Sequence, residues 1–160
     1  LTAQAQDSEQ RIQALFDKSG STETISGLRQ EMMHTMEEGA GIYRTGEGLA
    51  ASCDKIAELR ERYAGIELHD KSRVYNTDLM QALELSSMLD CAEAVAVGAR
   101  DRQESRGAHQ RLDFTERDDQ KYLKHSMAYY HPKEPPRIEY LDVVITKSQP
   151  GVRDYSGAKK

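Results

Sequence analysis

Along the first part of the chain, apolar side chains recur at steps of three and four with polar residues between them, the spacing that gives a helix one apolar face. Residues 7–18 carry Ile12, Leu15 and Phe16 at this spacing and predict a short leading helix, ended by Ser19-Gly20-Ser21. A second helix is expected over 22–38, with Ile25, Leu28, Met32 and Met36 on its inner face and Gly39-Ala40-Gly41 as its stop. Thr45 is placed to cap a third, running to Tyr63 with Leu49, Cys53, Ile56, and Leu59 or Tyr63 inward. Residues 64–75 have no helical period and read as a long loop. Asn76 or Thr77 then caps the longest helix, expected to reach Glu104; 28 residues would make a rod of about 42 Å. Leu79, Leu83 and Leu89 load its first half. Ala92, Ala96 and Ala99 load its second, where small side chains let a neighbour approach closely.

Beyond Gly107 the pattern changes. Residues 107–121 are densely charged, mixed in sign and irregular; two runs follow at 123–130 and 137–146, separated by Pro132, Pro135 and Pro136, and the second is β-prone. A hairpin with a long connection is expected, then an extended tail beyond Gln149, either tied to another surface or frayed. The fold class is therefore mainly α: an antiparallel three-helix bundle at 21–106, preceded by a linker and leading helix at 1–20 and followed by the charged segment, hairpin and tail at 107–160.

Composition sharpens this picture. The chain has 160 residues, a formal net charge of −5, 38% hydrophobic residues, no Trp and only Phe16 and Phe114. That size fits one domain. Mild acidity with no clustered basic face argues against a nucleic-acid partner, and no stretch approaches the roughly 20 apolar residues needed to span a bilayer. The polar opening, 1–10, lacks the features of a signal peptide, and a start at Leu rather than Met suggests a fragment. Cys53 and Cys91 both fall in helical patterns and read as buried free thiols of a reducing compartment rather than a disulfide. Histidines scattered at 34, 69, 109, 125 and 131 make no zinc signature.

Several stretches suggest chemistry and have a plainer reading. Gly39-Ala-Gly41-Ile-Tyr-Arg44 partly mimics a dinucleotide fingerprint, but it follows a helix and lacks the third glycine, so a helix C-cap is the better account. Ser105, His109 and Asp113 hint at a hydrolytic triad without a nucleophile elbow before the serine. Asp118-Asp119 suggests a carboxylate pair or cation site, with Arg117 and Lys121 available as structural partners. Met32, Met33 and Met36 read as core. No catalytic, cofactor-binding or metal residue is assigned. Instead Glu104, Arg106, His109, Arg111, Asp113, Arg117 and Asp118 are expected to form a hydrogen-bonded, salt-bridged network fixing the chain after the long helix, at a seam between domains.

Glu104-Ser-Arg-Gly-Ala-His109, Arg111-x-Asp113, Arg117-Asp-Asp and Leu123-Lys-His125 together resemble the C-terminal region of succinate dehydrogenase and fumarate reductase flavoprotein subunits. The resemblance extends to Met36, Gly41-Ile-Tyr-Arg44, Leu59-Arg60, Asn76-Thr-Asp-Leu79, Leu83-Glu-Leu85, Pro150 and Arg153-Asp-Tyr155, covering 21–155. It implies a C-terminal three-helix bundle of spectrin-repeat-like form, with FAD, the FAD-binding domain and the capping domain lying in the parent subunit outside this chain. It further implies succinate–fumarate interconversion and electron exchange with an iron–sulfur subunit. The implied location is the cytoplasmic inner face of the cell membrane, reached only through partner subunits. By itself the fragment is expected to bind no cofactor and to be inactive. The competing readings are a stand-alone helical interaction module and the C-terminal domain of the related L-aspartate oxidase.

Overall fold

Each long bundle helix begins where a small polar side chain can accept from a first-turn amide. Thr24 Oγ1 accepts from Gly27 N at 3.0 Å to open α2 (Ile25–Ala40), and Thr45 Oγ1 from Gly48 N at 3.1 Å to open α3 (Gly46–Tyr63). Asn76 Oδ1 accepts from Leu79 N at 2.7 Å to open α4 (Thr77–Asp101). These come from a computed structural model, which describes residues 2–132 and 134–151. The leading helix, α1 (Thr2–Asp17), starts earlier than its apolar residues predict, because Ala3, Gln4, Ala5 and Gln6 are all good helix formers. Only its C-terminal end is anchored: Leu15 is buried, and Lys71 Nζ donates to the carbonyls of Phe16 (2.9 Å) and Lys18 (2.8 Å).

Helices α2, α3 and α4 pack as an antiparallel bundle. Gly39, late in α2, meets Gly48 and Ser52, early in α3; Leu49 of α3 packs with Ala99 of α4, and Tyr63 Oη donates to the Ala82 carbonyl at 2.9 Å. Leu28, Leu49, Ile56, Leu59, Leu85 and Leu89 are almost fully enclosed, and each contributes about 1.5–3 kcal/mol. The surface ion pairs around Arg62 contribute about 0–1 kcal/mol apiece, so the apolar stripes hold the bundle together. The 64–76 connection is not a slack loop. Ile66 and Leu68 plug the bundle end, and the buried Asn76 also donates to the carbonyls of Asp70 and Ser72, both at 2.8 Å.

Some inward positions differ from expectation. Met32 is buried and Met36 packs against the core, but Met33 is 57% exposed, one helical step off the stripe. Cys53 is buried and Cys91 exposed, both as free thiols, because α4 turns Ala92, Ala96 and Val97 inward instead. Leu79 and Leu83 sit at the margin of a stripe centred on Ala82, Leu85 and Leu89. The alanines Ala92, Ala96 and Ala99 receive α2 and α3 of this same domain.

Helix α4 is 25 residues long, about 38 Å, and stops at Asp101 rather than Glu104. The chain then lays β2 (Gln110–Arg111) parallel to β1 (Tyr43–Arg44), pairing Arg44 with Arg111 in register. The periodicity did not reveal this pairing. A single turn, α5 (Asp119–Tyr122), leads into the antiparallel hairpin of β3 (Lys124–Tyr129) and β4 (Arg137–Asp142), with Lys124 opposite Asp142 and Tyr129 opposite Arg137. β4 ends short of the expected 146. Ile138 packs onto Cys53, Ala96 and Val97, seating the hairpin on the bundle. Among the described residues no helix is long and apolar enough to cross a membrane.

Helix α2 lies close against α3 at Gly39, where an added Cβ would lie 2.0 Å from Ser52 Oγ and 2.8 Å from the Gly48 carbonyl oxygen. Gly39→Ala is expected to destabilise the fold by about 1–3 kcal/mol, measured by chemical denaturation. Adding Ser52→Gly should recover only part of the loss, since the backbone contact remains.

Candidate functional site: the charged lattice after the long helix

The lattice begins where α4 runs out of internal acceptors for its last carbonyls. Arg111 Nη1 donates to the carbonyls of Ala99 (3.2 Å), Arg100 (3.1 Å) and Arg102 (3.2 Å), satisfying that end from ten or so residues downstream. Its other edge forms a fork with Asp113, Nε to Oδ1 at 2.7 Å and Nη2 to Oδ2 at 2.8 Å. Asp113 Oδ2 also accepts from Gly46 N at 2.8 Å, the first amide of α3. One side-chain pair therefore joins the negative end of α4 to the positive end of α3. Arg111 is 2% exposed, and the Phe114 ring lies 5.0 Å from its guanidinium. The Arg111 fork holds the Asp113 carboxyl well below the usual carboxylate range, outweighing the opposing effect of burial.

Glu104, 0% exposed, is the second node. Its Oε1 accepts from Arg102 Nη1 (2.6 Å) and Arg106 Nε (2.8 Å), and its Oε2 from Arg106 Nη2 (3.0 Å) and the Asp118 amide (2.9 Å). Burial alone would raise this carboxyl; the bonds from Arg106, the Asp118 amide and Arg102 hold it below its ordinary value. Arg102 also donates to the carbonyls of Tyr122 (2.8 Å) and Lys124 (2.7 Å) and lies against the rings of Tyr122 and Tyr140, tying the node to the hairpin.

The Arg-Gly-Ala-His spacing makes a tight turn. Arg106 and His109 exchange both backbone bonds, at 2.8 and 3.1 Å, across Gly107 with φ +60°. This puts the His109 ring between Arg44 Nη1, 2.8 Å from Nδ1, and the Arg102 carbonyl, 2.9 Å from Nε2. A guanidinium only donates and a carbonyl only accepts, so the imidazole is neutral with its proton on Nε2. Burial, then the charges of Arg44, Arg111 and Arg102, push its pKa down against the opposing carbonyl bond. Both nitrogens are engaged, leaving none for proton transfer.

The other candidates fall into structural places. Ser105 Oγ donates to the Phe114 carbonyl at 2.8 Å and accepts from Arg111 N at 2.8 Å, so Ser105, His109 and Asp113 each bond elsewhere and form no relay. Asp118 caps α5 through the amides of Gln120 and Lys121, while Asp119 pairs with Arg106 (2.6 Å) and Arg117 (2.7 Å); the adjacent carboxylates diverge. Arg117 Nη1 also donates to the Gly151 carbonyl at 2.8 Å, holding the start of the tail. The Arg153-Asp-Tyr155 motif lies outside the described residues. Gly39 and Gly41 end α2 beside α3, and no strand precedes them. Sequence reasoning missed Arg102, assigned to the helix interior by the overlong α4, and Arg44, whose place depends on the β1·β2 pairing.

Removing one partner from a buried ion pair strands the other, so Glu104→Ala is expected to destabilise the protein by about 3–5 kcal/mol, read from denaturation midpoints. The depressed His109 pKa sets a pH dependence with a defined sign. Its contribution is complete above the unfolded value near 6.5 and declines as pH falls below that toward the folded value. Denaturation midpoints should therefore drop between about pH 7.5 and about pH 5, ahead of any loss from Glu104 and Asp113, and His109→Asn should flatten that drop.

Comparison with known proteins places this lattice in a family. The family described as "Fumarate reductase flavoprotein C-term" matches residues 29–155. The fumarate reductase flavoprotein subunit of Haemophilus influenzae is 52% identical over 155 residues, covering 97% of this chain and 26% of that protein. The succinate dehydrogenase flavoprotein subunit of Rickettsia bellii is 33% identical over 159 residues, 98% of this chain and 27% of that protein. Among solved structures, the FrdA chain of Escherichia coli quinol fumarate reductase superposes with a TM-score of 0.89 at 46% identity, over 94% of this chain and 26% of that chain. The chain thus spans about a quarter of the length of these relatives. Matched by the family across most of its residues and sharing its bundle, the chain belongs to the C-terminal domains of fumarate reductase and succinate dehydrogenase flavoprotein subunits.

Proposed function

We propose that this domain is the structural and docking piece of a flavoprotein subunit that interconverts succinate and fumarate with FAD and exchanges electrons with an iron–sulfur subunit. The observation that carries this reading is the enclosure of Glu104 and Arg111 within an irregular segment, in a chain 52% identical to a fumarate reductase flavoprotein subunit. A cost in desolvated charge is met there to fix backbone that belongs to no helix, which suits a surface that must present one shape to another body.

The glycine stretch at 39–44 does not fit an FAD site. A dinucleotide cradle needs a glycine turn between a strand and a helix N-terminus, whereas Gly39 lies inside α2 against Gly48 and Ser52. On this reading flavin chemistry belongs to the FAD and capping domains of the parent subunit, and no residue here is assigned a catalytic role. The charged segment and hairpin pack on those domains and contribute to the face turned toward the iron–sulfur subunit. Membrane contact, at the cytoplasmic inner face, is made only through partner subunits.

Purified alone, the chain should be colourless and inactive toward succinate; stoichiometric flavin absorbance would overturn the assignment. In the complete subunit the amides of 104–119 should exchange more slowly than in the separate chain. Equal rates would refute docking through this segment.

A further inference from the structure

Among the described residues, Arg44 is the arginine of the lattice with no acid beside it. Arg102 and Arg106 share Glu104, Arg106 and Arg117 share Asp119, and Arg111 takes Asp113. Arg44 stands opposite Arg111 in the β1·β2 register, where like charge repels. Its Nε donates to the Gly41 carbonyl at 2.6 Å and its Nη1 to His109 Nδ1 at 2.8 Å. Both acceptors are neutral, and among the described residues no carboxylate pairs with Arg44 and its Nη2 donates no hydrogen bond. The guanidinium is partly buried, so it has lost water without gaining a counter-charge from the described residues.

Exposed apolar residues adjoin it along both strands. Ile42 and Tyr43 are 64% and 66% exposed on the β1 side, and Leu112 is 59% exposed on the β2 side. Leu112 N donates to the Arg44 carbonyl at 2.8 Å, so these side chains border one short two-stranded sheet. Large exposed apolar residues on the short sheet that carries an under-neutralised arginine are the composition of an interface rather than of a solvated edge.

We infer that Arg44 and the exposed apolar residues of its sheet seat an aspartate- or glutamate-bearing segment of the same flavoprotein subunit, from the portion outside this chain. The acid is specified by charge complementarity and the open Nη2 edge. The source is specified by length, since matched relatives have roughly four times as much chain, this domain covering 26% of them. The inference rests on the docking role proposed above and gives it a contact chemistry. The incoming carboxylate completes Arg44 and leaves its bond to His109 intact.

The test uses the complete flavoprotein subunit carrying Arg44→Lys and a zero-length carbodiimide. That reagent joins an amine to a touching carboxylate as an amide, taking up the water lost to become a urea. Peptide mapping should find an amide from position 44 to an Asp or Glu outside this chain in the same subunit. In parallel, Arg44→Gln should speed amide exchange severalfold in 42–44, 110–114 and one segment outside the chain. A link only to an acid of this chain would make Arg44 a local brace, and a link to a second copy would make the face a self-association surface. Either result overturns the inference, as does the absence of any link with exchange unchanged by Arg44→Gln. Wild-type protection of 104–119 separates the two levels. If it persists while the Arg44 variants give nothing, only this contact fails; if it is absent too, the docking role falls with it.

Discussion

Arg111 and Asp113 clamp two helix ends of opposite polarity, and the irregular third of the domain depends on that clamp. The last carbonyls of α4 and the first amide of α3 each need a partner, and neither can find one inside its own helix. A guanidinium has donors on two edges, so one arginine can face three carbonyls with one edge and fork a carboxylate with the other. The carboxylate then turns its remaining capacity to α3. Lysine, a single point of charge, could not span both tasks. Because the clamp sits at 111–113, the chain leaving α4 must turn back immediately, and that return places β2 alongside β1.

Once the return is fixed, the second node follows. Glu104 is drawn inside, and an enclosed carboxylate requires donors on both oxygens. Arg102 and Arg106 flank it from either side in sequence, and the Asp118 amide closes the remaining position. Arg102 carries the order outward, since its other donors end on the carbonyls of Tyr122 and Lys124 where the hairpin begins. The hairpin then rests on α4 through Ile138. A two-stranded hairpin alone is marginal in water; here the lattice holds one end and the bundle supports its face.

What the sequence disclosed was what local physics decides. Thr45 and Asn76 are caps that need only their own first turn, and the stripes through Leu28, Ile56 and Leu89 repeat within single helices. The hairpin was legible from its prolines and β-branched residues. The end of α4 was not, because the residue that stops it, Arg111, lies well beyond it and acts through space. The β1·β2 pair joins segments 67 residues apart through two positions each, too few to leave a period. Met33 and Cys91 show the other limit. An apolar residue beside a stripe cannot be assigned inward or outward until the rotation of its helix is known. The motif residues 104–119 stood out in sequence as a resemblance; their individual partners came only with the geometry.

The contrast between the two charged regions bears on why the lattice is built this way. Arg62 also gathers carboxylates, Glu23, Glu31 and Glu58, but in the open, with side chains about a third to a half exposed. Water competes there, and the cluster adds little that a solvated face would lack. Glu104 and Arg111 are enclosed, where a well-packed apolar pair of equal volume would serve stability at least as well. Apolar side chains attract without direction, however, and could not set the path of sixteen residues that have almost no repeating secondary structure. Forked, directional bonds can, at the cost of desolvating each charge. Such a cost has a use where the exact shape of an irregular surface matters.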